Sequence, residues 1–459
     1  MSKYTHSDYD DMLSRWTMAR DATDDEHTVH SKQTDYLPRL NQEKDNDYKT
    51  RLNMTPFFGA SWRTIIALRG MMFRKDPTIV IPDAFRDALD NIDNNGQSFV
   101  SFAQDVSLEA LIVGRNGILT EFSQVSEGLT ALDVKEAGLG PFLSQYLAES
   151  VLNWSHTNIG GRRILSMVRL LEDVENYAEF TEQIKDGDEI HRILRLTDLG
   201  YTQQVMIVND KDETPVGDEI IPQMGGASMN FIPFQPIGVD SLTIDVEIPP
   251  LMDLISMNFH HYRQSSAYER GCFLTGFPTL FVYGNTDADK IIYIGGSSAN
   301  SFPDHTTRAE FVSADTKLEA LERNLERKEK QMAVLGARML ESQGKAAESG
   351  DAWERKQSGE ESILADMSTT IGEGLTNSLK WHTEWSGGDP TDVNVELSKE
   401  FLPFKLTATE IQAMMGAYIQ RGMSFDSLFY NFQRAGLHAP DTDLDDERGK
   451  IDESTAGLI

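Results

Sequence analysis

One cysteine, Cys272, stands in a chain of 459 residues. An intrachain disulfide is therefore impossible, and no cysteine-based zinc site can form within one chain. Flanked by Gly271, Phe273 and Leu274, Cys272 reads as a small buried hydrophobe, and cysteine this scarce fits an intracellular origin. Long apolar runs are missing too. No stretch of about 18 apolar residues occurs, so no membrane span is expected. The opening residues MSKYTHSDYDDM hold no apolar segment of the kind a secretion signal needs. Basic residues are few: Lys and Arg number 42 against 73 Asp and Glu, a net charge of −31. That argues against a conventional nucleic-acid binder, which needs a basic patch. It leaves two readings open. One is a charge that serves only solubility; the other is a wall that repels phosphate and keeps DNA mobile.

Catalytic signatures are also missing. No GxxxxGKS loop, GxSxG elbow or HExxH pair occurs, so neither nucleotide hydrolysis nor the common hydrolase chemistries are expected. The adjacent His260 and His261 point to different faces of a helix and make a poor metal clamp. Asp441-x-Asp443-x-Asp445 resembles the start of a calcium loop but lacks the glycine and glutamate that complete one. No catalytic residue, metal ligand or cofactor is assigned.

What is present is a chain long enough for several units, with 39% hydrophobic and 25% charged residues. The first 80 residues read as helical: Ser7 can cap a helix carrying Met12, Leu13, Trp16 and Met18. Residues 56–72 are apolar over much of a helix circumference, and 83–95 and 97–113 follow with helical patterns. From 116 the pattern turns to strands, with 117–122, 163–172, 189–197 and 201–208 rich in branched residues and broken by turns. The fold class is α+β.

The second half differs. Pro249-Pro250 opens a helix to about Tyr268. A short β-rich module follows, containing 278–284, 291–294 and 309–312. Then Leu318, Leu325, Met332 and Met339 repeat every seven residues, with Leu321 and Leu335 at an offset of three and Lys328 interrupting. This narrow seam suits either an intersubunit coiled coil or an amphipathic helix packed on its own chain. Ser342 to Gly350 is small and polar, as in an exposed loop. A long helical stretch covers 351–384, a strand 393–397, and two helices follow, one capped by Thr407 and one beginning at Ser424. Residues 441–453 hold seven acidic and two basic residues, a composition expected to be disordered.

This order, together with Tyr36-Leu37-Pro38, Tyr48-Lys49-Thr50-Arg51-Leu52, Phe57-Phe58 through Phe73-Arg74-Lys75-Asp76-Pro77, Pro249-Pro250-Leu251-Met252-Asp253-Leu254, His261-Tyr262-Arg263-Gln264-Ser265-Ser266 and Met332 to Arg338, resembles the portal proteins of tailed bacteriophages, the head-to-tail connectors. The likeness runs over residues 30–435; the 276–313 module carries few of its motifs, and the residues after 440 have no counterpart. It implies a portal fold: a wing over 1–249, a stem helix 250–275, a clip 276–313, a second stem helix 314–342, a tunnel loop 343–350, a long helix and return to the wing over 351–406, crown helices 407–440 and an acidic tail 441–459. It further implies a dodecameric ring at one capsid vertex of the virion, assembled in the host cytoplasm. Double-stranded DNA would pass through the ring in packaging and ejection. Expected partners are the terminase large subunit, the major capsid or scaffold protein and a head–tail adaptor. The stem helices would line the channel and their outward charges set its potential. Leu318, Leu325, Met332 and Met339 would lie at the stem and oligomer interface. Ser342, Gln343 and Lys345 would face DNA in the tunnel loop, with Lys345 as a transient phosphate contact or simply a solvated lysine. The alternative is a non-portal virion scaffold or adaptor that oligomerises through the 316–342 helix; an enzyme is the third reading.

Overall fold

The computed structural model describes residues 4–123, 140–174, 184, 187–209, 212–276, 279–284, 307–312, 318–340, 362–401, 408–435, 437 and 442–456. Within them the chain is α+β. Helix α1 (Ser7–Thr23) buries Tyr9, Met12, Trp16 and Ala19 along one stripe. Its cap is His6 and not Ser7: the His6 side chain accepts from the Asp8 N–H, while the Ser7 hydroxyl donates to the Asp8 carboxylate. Helices α2 (Glu26–Ser31), α3 (Asp45–Met54) and α4 (Ala60–Met72) follow. Helix α4 buries only Ser61, Ile65, Leu68 and Met72, so the expectation of a helix covered round much of its circumference fails; Trp62 stays exposed. Residues 83–90 form a 3-10 segment where a longer helix was expected, because Pro82 and the Asp/Asn-rich run to Asn95 leave too few apolar positions four apart. Helix α5 (Phe99–Val113) is capped by Ser98, is buried over most of its length and ends at Gly114, whose φ of 78° suits a left-handed cap.

Two antiparallel sheets hold the body. Strand β2 (Arg115–Phe122) lies between β11 (Phe234–Gly238) and β3 (Pro141–Leu147). Gly117 seats the Phe234 ring: a Cβ there would lie 2.1 Å from Phe234 Cζ. A meander runs β4 (Val151–Ile159), β5 (Arg162–Glu172), β6 (Glu189–Thr197), β7 (Gly200–Val208) and β8 (Glu213–Ile220). Strands β2, β5, β6 and β7 are the ones the sequence marks in this body; β3, β4 and β8 lack a clean alternation and are found only in the structure. Short β1 (Thr78–Val80) pairs with β14 (Asn394–Glu396), and β9 (Gln223–Met224) with β10 (Ala227–Ser228).

Ion pairs tie the helices to this frame. Arg20 of α1 bonds Glu109 of α5 at 2.7 Å and Glu149 after β3 at 2.6 Å. Arg51 of α3 bonds Glu43 at 2.8 Å and donates to the Ser266 hydroxyl at 3.1 Å. The helix Ile363–Trp385, here α8 after two helices described below, is capped by Ser362 and buried over most of its length.

Three helices close the chain: α9 (Ala408–Ile419), α10 (Phe425–Arg434) and α11 (Leu444–Ala456). Helix α11 replaces the expected disorder of the acidic tail. Asp443 accepts from the N–H groups of Asp445 and Asp446 and starts the helix; three acidic residues sit in its first turn, and Arg448 pairs with Asp426 of α10. Carboxylates at a helix N-terminus meet its positive end, so acid content alone did not decide against order.

Burial pushes the His382 imidazole of α8 down to about 4, against a hydrogen bond with the Pro141 backbone that favours the proton. An unfolded histidine titrates near about 6.5. Between those values the unfolded chain takes up a proton that the folded chain refuses, so stability falls as pH falls through that window. Urea unfolding at about pH 7 and about pH 5 should show this loss, and His382→Gln should reduce it by about 1–2 kcal/mol. Equal losses in both proteins would contradict the assignment.

Candidate functional site

Helix α6 (Met252–Gly276) is the longest among the described residues, about 37 Å at 1.5 Å per residue. It enters through Pro249 and Pro250 and buries Leu254, Ile255, Asn258, Phe259 and Tyr262 in the core. Its last residues, Phe273 to Gly276, are exposed. Helix α7 (Leu318–Ala337) packs against it. His261 Nε2 lies 3.4 Å from Glu329, and Lys328 donates to the His260 carbonyl at 3.3 Å. Farther along, Tyr268 is held above the usual phenol range by a hydrogen bond with Cys272 and, less strongly, by the nearby Glu322. Seven residues forward on α6 thus correspond to seven residues back on α7: the pair is antiparallel. Burial gives it a direction. Met332 and Met339 are 2% and 3% exposed, whereas residues near Leu318 are half-buried or open. Gly336 lies so close to α4 that a Cβ would sit 2.8 Å from Thr64 Cγ2. Both helices are therefore rooted in the body at their 252 and 337 ends and project at the other.

The expected intersubunit seam is used inside the chain. Met332 and Met339 lie in its own core, and Leu318 and Leu325 are half-buried on the same row. An apolar row needs a covering partner, and the same chain supplies it: α6 lies along α7, and α8 packs on the 3-10 turn Arg338–Leu340 that carries Met339. Ser342, Gln343 and Lys345 lie outside the described residues. His260 is exposed and His261 buried, one on each side of the helix. Cys272 is half-buried, less covered than expected.

The exposed faces of the pair are close to neutral. On α7, Glu319, Glu322, Glu326 and Glu329 face Arg323, Arg327 and Lys330; on α6, Asp253 stands with Arg263 and Arg270. The chain's −31 is not concentrated here.

At the projecting end, β12 (Thr279–Tyr283) and β13 (Arg308–Val312) form a separate two-stranded sheet, with Phe281 opposite Glu310. Phe281, Tyr283, Phe311 and Val312 are exposed, as are Phe273 and Leu274 at the end of α6. The sequence marked these residues as strands but gave no sign that they face solvent. Helix α9 repeats the pattern: its one acidic residue among many apolar ones is Glu410, yet Met415, Tyr418 and Ile419 are exposed. Leu428 and Phe429 of α10 are buried apart from the main core.

An open cavity of about 1600 Å³ lies in the body beside β2, β3 and β5–β8. Its one basic lining residue is held by two of the lining carboxylates. Arg192 bonds Glu172 at 2.8 Å and also Glu121, and the Tyr146 hydroxyl donates to Glu172 at 2.6 Å. Burial raises Glu172 and Tyr146 above their usual ranges. The group is a structural ion network with no nucleophile set beside a base.

Residues 250–386 match the family described as "Domain of unknown function (DUF4055)". The match runs from just before α6 to just after α8. No curated protein matches the chain. Among solved structures, a chain of the virion of a native gene transfer agent particle aligns at 9% identity, TM-score 0.37, over 86% of this chain and 94% of that one. A chain of the neck of the native particle, computed with C12 symmetry, aligns at 11%, 0.38, 87% and 94%. A chain of the neck of the empty particle, computed with C6 symmetry, gives 9%, 0.40, 84% and 91%.

Met332→Asp places a carboxylate in the core and should cost about 3–5 kcal/mol; Val334→Asp, at an exposed position two residues on, should cost little. Thermal unfolding of the two variants checks this. Equal shifts in Tm would mean that the seam is not packed inside the chain.

Proposed function

We propose that the chain is one subunit of a closed ring, the portal of a tailed-phage-like particle, through which double-stranded DNA enters and leaves the head. The observation that carries this reading is the arm. Two antiparallel helices leave the body together and bear at their far end a sheet whose aromatic side chains face solvent. A two-stranded sheet is marginal in water by itself, and contiguous exposed apolar side chains mark contact surfaces. A ring supplies such contacts, because each copy meets its neighbours through two different surfaces. The order of body, helix, β-rich insert, helix and buried return helix is also the order that the sequence resemblance implies.

In this reading α6 and α7 face the channel, and their near-neutral outer faces let phosphate pass without a sticking charge. Lys345 is the loop residue assigned to transient phosphate contact. The ring itself hydrolyses nothing. An ATP-driven terminase supplies the work of packaging, and adaptor proteins follow it at the same vertex. The competing scaffold reading, oligomerisation through the 316–342 seam, is disfavoured because that seam's Met332 and Met339 are already enclosed by their own chain.

Native mass spectrometry of the purified chain under assembly conditions tests the proposal. The expected result is one closed stoichiometry, a dodecamer. A population of monomers or dimers alone would contradict it.

A further inference from the structure

Strand β3 ends its sheet: in the order β11-β2-β3 no strand lies beyond it among the described residues. All six residues from Phe142 to Leu147 line the cavity of about 1600 Å³. Successive side chains of a strand point to opposite faces, so an unbroken run shows that the cavity meets the edge of β3 and not one face. The Leu143 N–H points outward from that edge and donates to the Ile92 carbonyl at 2.9 Å. By the two-residue period, the N–H groups of Gln145 and Leu147 point the same way. Among the described residues, neither they nor the Gln145 carbonyl has a hydrogen-bond partner. Gln145 Nε2 is buried and unpartnered as well. A buried donor left unmet is costly, so the edge is incomplete in the isolated chain.

The meander supplies the floor. Arg192, Val205 and Val216 stand in one cross-strand row, with Gln203 and Ile220 in the next, and all five line the cavity. Five carboxylates line it too, Asp93, Glu121, Glu172, Asp173 and Asp218, against the single Arg192. Arg192 pairs with Glu121 and Glu172. Asp93, Asp173 and Asp218 enter no ion pair among the described residues, and the last two are exposed.

We propose that this cavity seats an extended, lysine- or arginine-bearing segment of a partner protein, which pairs with the free edge of β3 and meets the unpaired carboxylates with its side chains. An open edge is a ready template for another strand. Main-chain bonds give an added strand its hold, and alternate side chains give it specificity. Charge selects a foreign segment over this chain's own. The whole chain carries −31, so a second copy brings like charge to an acidic groove. Residues 124–139 and 175–183, which follow Ser123 and Val174 in sequence, hold three carboxylates each and only Lys135 against them. The site serves one subunit, whether or not the chain forms a ring.

Calorimetric titration of the full chain tests the site. The probe is an end-blocked peptide of about eight alternating lysine and valine residues, an ordinary strand length. Two controls separate strand pairing from bulk charge: the same peptide methylated on its backbone nitrogens, and a glutamate–valine counterpart. The unmodified peptide should bind at least about tenfold more tightly than either control. Gln145→Pro removes an outward donor and no ladder bond, so it should fold and weaken binding by about tenfold. Asp173→Lys with Asp218→Lys, both at exposed positions, should weaken it as much at an unchanged Tm; this pair decides the matter if Gln145→Pro does not fold. Absence of binding overturns the assignment, as does equal binding of the methylated peptide or binding unchanged in the variants. Self-association of the wild-type chain that Gln145→Pro abolishes would overturn it too, by showing a second copy in the groove.

Discussion

The body closes around a helix that carries little side-chain volume where it meets the sheets. Along α8, Gly372 lies where a Cβ would be 3.0 Å from the Val395 carbonyl, and Gly374 where one would be 2.8 Å from Ile237. Its hydroxyls turn inward. Ser368, Thr376, Ser378 and Thr383 each donate to the carbonyl four residues back, so they are buried without unmet hydrogen bonds. Thr376 also accepts from the Val395 N–H at 2.9 Å and locks β14 to the helix. Close backbone approach of this kind admits no larger residue without displacement. Because α8 is the chain's return from the arm, its fit determines how firmly α6 and α7 are rooted.

Residues 250–386 contain the arm's two helices and the helix that anchors them. The arm's inner half contributes Leu254, Phe259, Met332 and Met339 to the same core as Leu364, Ile371 and Leu379 of α8. The outer half gives up that cover and ends in exposed aromatic side chains. One end is buried and the other exposed, the contrast on which the proposed assembly role rests.

Much of this was legible in the residues. The proline pair before α6, Ser424 at the start of α10 and the branched runs of β5–β7 each placed an element. The heptad row of α7 was equally plain, but a period shows only that a helix has an apolar stripe and not whose surface covers it. Strands β3, β4 and β8 were missed because polar residues and Pro215 break their alternation. The acidic tail misled in the other direction, since the composition that suggests disorder also suits a helix N-terminus. The assigned DNA-facing residues Ser342, Gln343 and Lys345 lie outside the described residues, so the site legible in sequence and the arm seen in the structure meet only at the root of α7.

Electron cryomicroscopy of the assembled chain tests the central claim most directly. The account predicts a closed ring with an open centre, α6 and α7 lining that opening, and the β12–β13 sheets forming a collar at one end. A particle without a central opening, or a ring with the helix pair on its outer rim, would contradict it.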